Sequence, residues 1–189
     1  VTSSGTIPAA FDSAPTSISS MTVASGATLT LPAGAPVVVS SSITVSAGGS
    51  LVLPPTSGLR GPTGSAGQLS VSGSLQVNGA TLDRIGVSGS GTSTVSIDAS
   101  TLSNTVNFYV LSISAGQLNL TNSTITSSAP SFPAVSLAGT STGTISGRVV
   151  DTTGQVIPDA QVKLTSERTG DERDTTTNGS GDFVFPALV

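Results

Sequence analysis

The chain has 189 residues, a formal net charge of −4 and only 8% charged side chains, against about 25% in an average soluble domain. Its few Lys and Arg form no stripe, which excludes a phosphate-neutralising nucleic-acid surface. The absence of Cys and His excludes disulfides, thiol chemistry, His-based nucleophilic triads and His/Cys zinc sites.

No apolar run approaches the roughly 20 residues of a bilayer span, so membrane insertion is not expected. A start at Val1 without a charged-then-apolar leader reads as a mature chain after signal cleavage or as a cut fragment. The Ser/Thr/Gly-rich, nearly Lys-free composition points to an extracellular, cell-surface protein. Charge is uneven: up to Gly143 the only charged side chains are Asp12, Arg60, Asp83, Arg84 and Asp98, and all others lie between Arg148 and Asp182. The boundary implied is near 138–147. It gives an extended segment (1–16), a repeat domain (17–143) and a C-terminal domain (144–189).

The first segment, "VTSSGTIPAAF", reads as extended, with Val1, Ser3, Gly5 and Ile7 on one face and Pro8 ending any pairing. From residue 17 the chain repeats: "MTVASGATLTLPAG", "ITVSAGGSLVLPPT", "LSVSGSLQVNGATL", "LSISAGQLNLTNSTI". Each unit is a β-branched strand, a small-residue turn and a second strand. Val23, Val45, Val71, Val95, Ile113 and Val135 serve as anchors, with a spacing that signals a solenoid. Apolar residues alternate with Ser and Thr, as at Leu29 and Leu31 or Leu118 and Leu120, so one face points inward. This region resembles a right-handed parallel β-helix of the pectin-lyase-like type; the competing fold is an antiparallel sandwich of hairpins. "PPTSGLRGPTGSAG" (54–67) is expected to leave the body as a surface loop. Phe108 and Tyr109 in "LSNTVNFYVL" either fill a wider coil or form an exposed aromatic contact. The threonines are not expected to line up from coil to coil.

The C-terminal region reads "ISGRVVD", "GQVIPDAQVKL", then "TGDERDTTTNGSGDFVFPAL". These pieces resemble the carboxypeptidase regulatory-like domain, which implies a small immunoglobulin-like or prealbumin-like β-sandwich. Gly154 supplies a turn in "DTTG", and "NGSGD" is a tight turn before Phe183 and Phe185. Members of that family have a final strand beyond the phenylalanine strand. The resemblance therefore implies an incomplete sandwich with an open groove lined by Ile145, Val149, Val162, Leu164, Phe183 and Phe185. The fold class expected is all-β: a parallel β-helix-like solenoid followed by an incomplete sandwich.

Candidate chemistry is sparse. Asp83, Arg84 and Asp98 are the solenoid's only acid-base candidates in the repeats, and neighbours such as Asp83 and Arg84 face opposite ways on a strand. Asp171, Glu172, Asp174, Asn178 and Asp182 carry calcium-type oxygens but read as solvated turns. Lys163, on an interior strand, lacks the Asn-bearing strand an isopeptide would need. Asn119, Asn122 and Asn178 stand in N-x-S/T sequons as possible glycosylation sites. No enzyme activity and no cofactor is expected. The expected function is a filament subunit whose partner is a copy of itself, with residues 1–7 donating a strand to a neighbour's groove. The alternative is a fragment of a cell-surface adhesin or glycan-binding protein; a β-helical polysaccharide-active enzyme ranks below both.

Overall fold

The computed structural model describes residues 5–6, 17–34, 36–106, 108–128, 134–165 and 169–188. Among them there is no helix, as β-branched strands punctuated by Gly and Pro require. The described residues of the N-terminal part wind into a parallel β-solenoid of about five turns. All backbone pairing within it is parallel, and the antiparallel hairpin alternative is thereby overturned.

The strands lie in three stacks. The first stack runs β2 (Ser17–Val23), β4 (Val37–Val45), β7 (Gly67–Val71), β10 (Ile85–Gly89), the first half of β13 (Leu111–Thr121) and the first half of β15 (Val135–Arg148). The second stack runs β1 (Gly5–Thr6), β3 (Thr28–Thr30), β5 (Ser50–Leu53), β8 (Ser74–Asn78), β11 (Thr94–Asp98), then the second halves of β13 and β15. The third stack begins at the start of β4 and continues through β6 (Gly58–Arg60), β9 (Thr81–Asp83), β12 (Thr101–Asn104) and β14 (Thr124–Ser127).

Period-two alternation turns one side of each strand inward, and parallel register places like above like. In the second stack Leu29, Leu51, Leu75, Val95 and Leu118 form one column. Leu53, Val77, Ile97, Leu120 and Ile145 form the next. In the first stack the column is Val23, Val45, Val71, Gly89, Ile113 and Leu137. The anchor set from the sequence is corrected at two points: Val95 belongs to the second stack, and Val135 pairs with Leu111. The coils differ in length, so a fixed spacing drifts off the true column. At the corner between the first and second stacks the coils approach so closely that a Cβ on Gly73 would run into the carbonyl oxygens of Ser46 and Gly49.

Three further expectations change. Only a portion of 54–67 leaves the body, because Gly58–Arg60 is β6 and Leu59 is fully buried between third-stack neighbours. Asp83 and Arg84 do not face apart. Arg84, at φ +54°, turns back to pair with Asp83 at 2.8 Å, while Arg60 approaches the same carboxylate at 3.4 Å. Arg84 also donates to the carbonyls of Gly61 and Pro62 at 3.2 Å, clasping the short loop to the rod. Phe108 lies over Gly86, on the outside of the first stack, in an edge-to-face pair with Tyr109 at 5.9 Å. The fully buried Asn104 holds that segment by donating to the carbonyls of Phe108 and Tyr109. Threonines do align on the third stack, at Thr81, Thr101 and Thr124. On the first stack the outward column is mixed: Thr22, Thr44, Ser70, Ser88, Ser112 and Ser136.

Candidate strand-acceptor site

The rod and the C-terminal domain share a strand. β15 pairs in parallel with β13 through Thr121↔Ser146, and its second half pairs antiparallel with β18 (Asp182–Leu188). The second-stack column therefore continues from Leu120 to Ile145 and across to Phe185. Gly147 faces Phe183, and the ring fills the place a side chain at 147 would take. Phe183 and Phe185 meet edge to face at 5.9 Å, a geometry favoured by the ring quadrupoles. Arg148 and Asp182, register partners at the far end, form a 2.6 Å ion pair that raises the Arg148 pKa above its ordinary value.

Turn chemistry then sets the rest. The Asp151 carboxylate accepts from the Thr153 hydroxyl at 2.7 Å and from the N–H groups of Gln155 at 3.0 Å and Thr153 at 2.8 Å. These bonds, the Thr153 hydroxyl first, hold its pKa below the ordinary carboxylate value. The turn brings Val150 against Val156 in an antiparallel bridge. Thr177, buried, donates its hydroxyl to Ile157 O at 2.7 Å and accepts from Ala160 N at 2.8 Å, pinning the 157–160 loop. Asn178 accepts from the N–H groups of Ser180 and Asp182, so "NGSGD" is the expected tight turn.

The remaining strands, β16 (Gln161–Thr165) and β17 (Glu172–Thr176), form a separate two-stranded antiparallel sheet. Lys163 is paired with Glu172 at 2.8 Å across this hairpin. Of the residues expected to line the groove, only Phe185 is buried; Ile145, Val149, Val162, Leu164 and Phe183 are half-buried. Val150 (46% exposed), Val156, Ile157 and Val184 (50%) are the large apolar residues left in solvent among the described residues, and all lie in this domain.

Among the described residues the second edge of β18 and the outer edges of β16 and β17 lack a strand partner, and those of β18 and β16 differ. The second edge of β18 is blunted. Pro186 has no N–H to offer, a bulge with Ala187 at φ +53° interrupts the pairing with β15, and Arg173 donates to the carbonyls of Pro186 and Ala187 at 3.3 and 3.4 Å. The outer edge of β16 carries no such guard. Its one cation, Lys163, is neutralised within the hairpin. Sequence reasoning missed Arg173 and Thr177. Pro186 was a legible warning at the β18 edge, whereas a guanidinium reaching from a neighbouring sheet leaves no sequence signal.

Of the expected donor face, Gly5 lies in β1, paired in parallel with β3 through Gly5↔Leu29 and Thr6↔Thr30; Val1, Ser3 and Ile7 lie outside the described residues. The sequon residues Asn119, Asn122 and Asn178 are exposed. Asn122 donates to Asp98 at 3.2 Å and Asn119 to Ser96 at 3.4 Å, while Asn178 is built into its turn. Asp98 also accepts from Thr121. It sits on the second stack and Asp83 on the third, so the acid-base candidates are not brought together. Among the described residues no group of three or more acidic side chains converges to hold a metal.

No curated protein and no solved structure matches the chain. Residues 144–189, which begin within β15, match the family model of the carboxypeptidase regulatory-like domain, so the protein is a parallel β-solenoid running directly into a regulatory-like, immunoglobulin-like domain.

Proposed function

We propose that this protein is a non-enzymatic structural subunit of an extracellular, cell-surface filament. Copies join head to tail as an N-terminal strand of one subunit enters the regulatory-like domain of the next beside β16. The observation that carries this reading is that, among the described residues, the exposed large apolar side chains are Val150, Val156, Ile157 and Val184, all in the C-terminal domain and none in the rod. An added strand that covers three such side chains gains about 1.5–3 kcal/mol from each, before ladder hydrogen bonds. The difference between the two edges supports β16 as the acceptor, because strand addition needs unengaged backbone groups. A heterologous contact of this kind does not close on itself, and repetition gives a fibre. The engagement of Asp83 by two arginines, and of Asp98 by Thr121 and Asn122, supports the non-enzymatic side of the reading.

Negative-stain electron microscopy of the chain with and without residues 1–11 tests the proposal. Filaments are expected from the intact chain and monomers from the shortened one, with an added peptide of residues 1–11 shortening the intact filaments. Monomers from both chains at every concentration sink the filament reading. A second reading, glycan binding, is favoured by a shallow cavity on the outside of the second stack lined by Ser74, Gln76, Asn78, Thr94, Ser96 and Asp98. Persistent monomers that retain affinity for neutral glycans would place it first.

A further inference from the structure

Two residues of the segment read as the strand donor, Gly5 and Thr6, are already paired within the rod. β1 pairs with β3 at the N-terminal end of the second stack, through the two register positions Gly5↔Leu29 and Thr6↔Thr30. β3 is itself only Thr28–Thr30, and beside it Leu29 and Leu31 are 2% and 1% exposed. In the first stack the opening strand, β2, has nothing before it among the described residues, and there Ile18 and Met21 are only half-buried. Val23, also on β2, is fully buried, so it is the pairing with β3 that marks β1 as a cover for the first coil of the second stack.

We infer that the β1–β3 pairing is a resting site for the donor, vacated when the segment enters a neighbour. This rests on the filament reading. While Gly5 and Thr6 are held on β3, the backbone edge they turn towards it is engaged and unavailable to an acceptor strand. Two register pairs make a small ladder, short enough to open without unwinding the rod. Release nevertheless uncovers the edge of β3 as insertion covers the edge of β16. Assembly is an exchange of one edge for another, so its driving force is a difference and its start is slow. A newly made chain is thereby protected from joining its neighbours before the donor is freed.

A reversible lock tests this directly, because the chain has no cysteine of its own. Register partners on adjacent parallel strands are about 4.8 Å apart, inside the Cα separation of about 4.4–6.8 Å that a disulfide bridges. The double variant Thr6→Cys/Thr30→Cys is purified oxidised, then examined for filaments before and after reduction. The expected result is no filaments when oxidised and wild-type filaments when reduced. Hydrogen exchange on the unmodified chain gives a second readout free of any folding defect in the variant. The amide of Thr30, which this register turns towards β1, is expected to exchange about tenfold or more faster in filaments than in monomers as local protection is lost. Filaments from the oxidised variant, with the Thr30 amide equally protected in both states, overturn the resting-site inference and leave the filament reading intact. If the wild-type chain forms no filaments under any condition, the filament reading falls and takes this inference with it.

Discussion

Asp151 shows how much a single side chain organises in the C-terminal domain. Its carboxylate gathers the Thr153 hydroxyl and the Thr153 and Gln155 amides, and the turn it closes sets Val150 against Val156. Because these donors favour the charged form, the folded pKa lies below the ordinary 3.8. The stabilisation is therefore complete above that ordinary value and is lost as pH falls through the folded one. Amide chemical shifts of 153–155 are expected to hold steady from neutral pH down to about pH 4 and to move only below it. In Asp151→Asn they move little across the same range. Shifts that titrate at or above the ordinary carboxylate value would remove the turn's proposed anchor. The turn was legible in "DTTG" through Gly154, but the part the Asp151 carboxylate plays in closing it was not. Nor was the Asp83 cluster, since nothing in adjacent letters says that Arg84 adopts a positive φ and doubles back.

At the scale of elements, the two edges of the regulatory-like domain divide the work. Pro186, the bulge at Ala187 and the Arg173 guanidinium guard β18, whereas the outer edge of β16 has no strand partner among the described residues. Arg173→Ala removes the donor to both carbonyls and leaves Pro186 in place. Static light scattering is expected to show faster, irregular association of this variant at equal concentration, without the uniform fibres of the parent. Unchanged association would mean that Pro186 and the bulge suffice. The alternation that defines β3, β5 and β8 was plain in the sequence, because apolar residues at the buried positions recur at every second place along each strand. Which strand lies over which was not. Val95 and Val135 were misplaced because coil length varies, and only the backbone ladder fixes the register. β6 was hidden in the same way, its buried Leu59 lying within a Pro/Gly-rich stretch that reads as loop.

On the scale of the whole molecule, β15 joins the rod and the regulatory-like domain into a single cooperative object. Leu120 lies directly beneath Ile145, which faces Phe185 across the next ladder. Leu120→Ala leaves a gap in that column, and a core truncation of this kind costs about 2–5 kcal/mol. The far-ultraviolet signal of the rod and the exchange protection of 182–185 are expected to be lost together, at a lower temperature than in the parent. Loss of the rod signal while 182–185 stay protected would show that the shared strand does not couple them. The change in charge density near residue 143 suggested a domain boundary, and the family match begins at residue 144. One strand passes through that point, because Thr144, Ile145 and Ser146 keep the parallel register of the coil below, opposite Asn119, Leu120 and Thr121.

That shared strand also decides how the molecule would carry a mechanical load. In a solenoid the hydrogen bonds between coils point along the axis, so a pull between the ends falls on whole ladders at once. Each coil offers its ladders in three stacks side by side, and tension is divided among them. At β15 the path narrows to the first and second stacks on one side and to the single β15–β18 ladder on the other. The five register pairs from Gly143 to Arg148, closed by the Arg148–Asp182 ion pair, are where a stretched subunit should give way first, leaving the coils behind them wound.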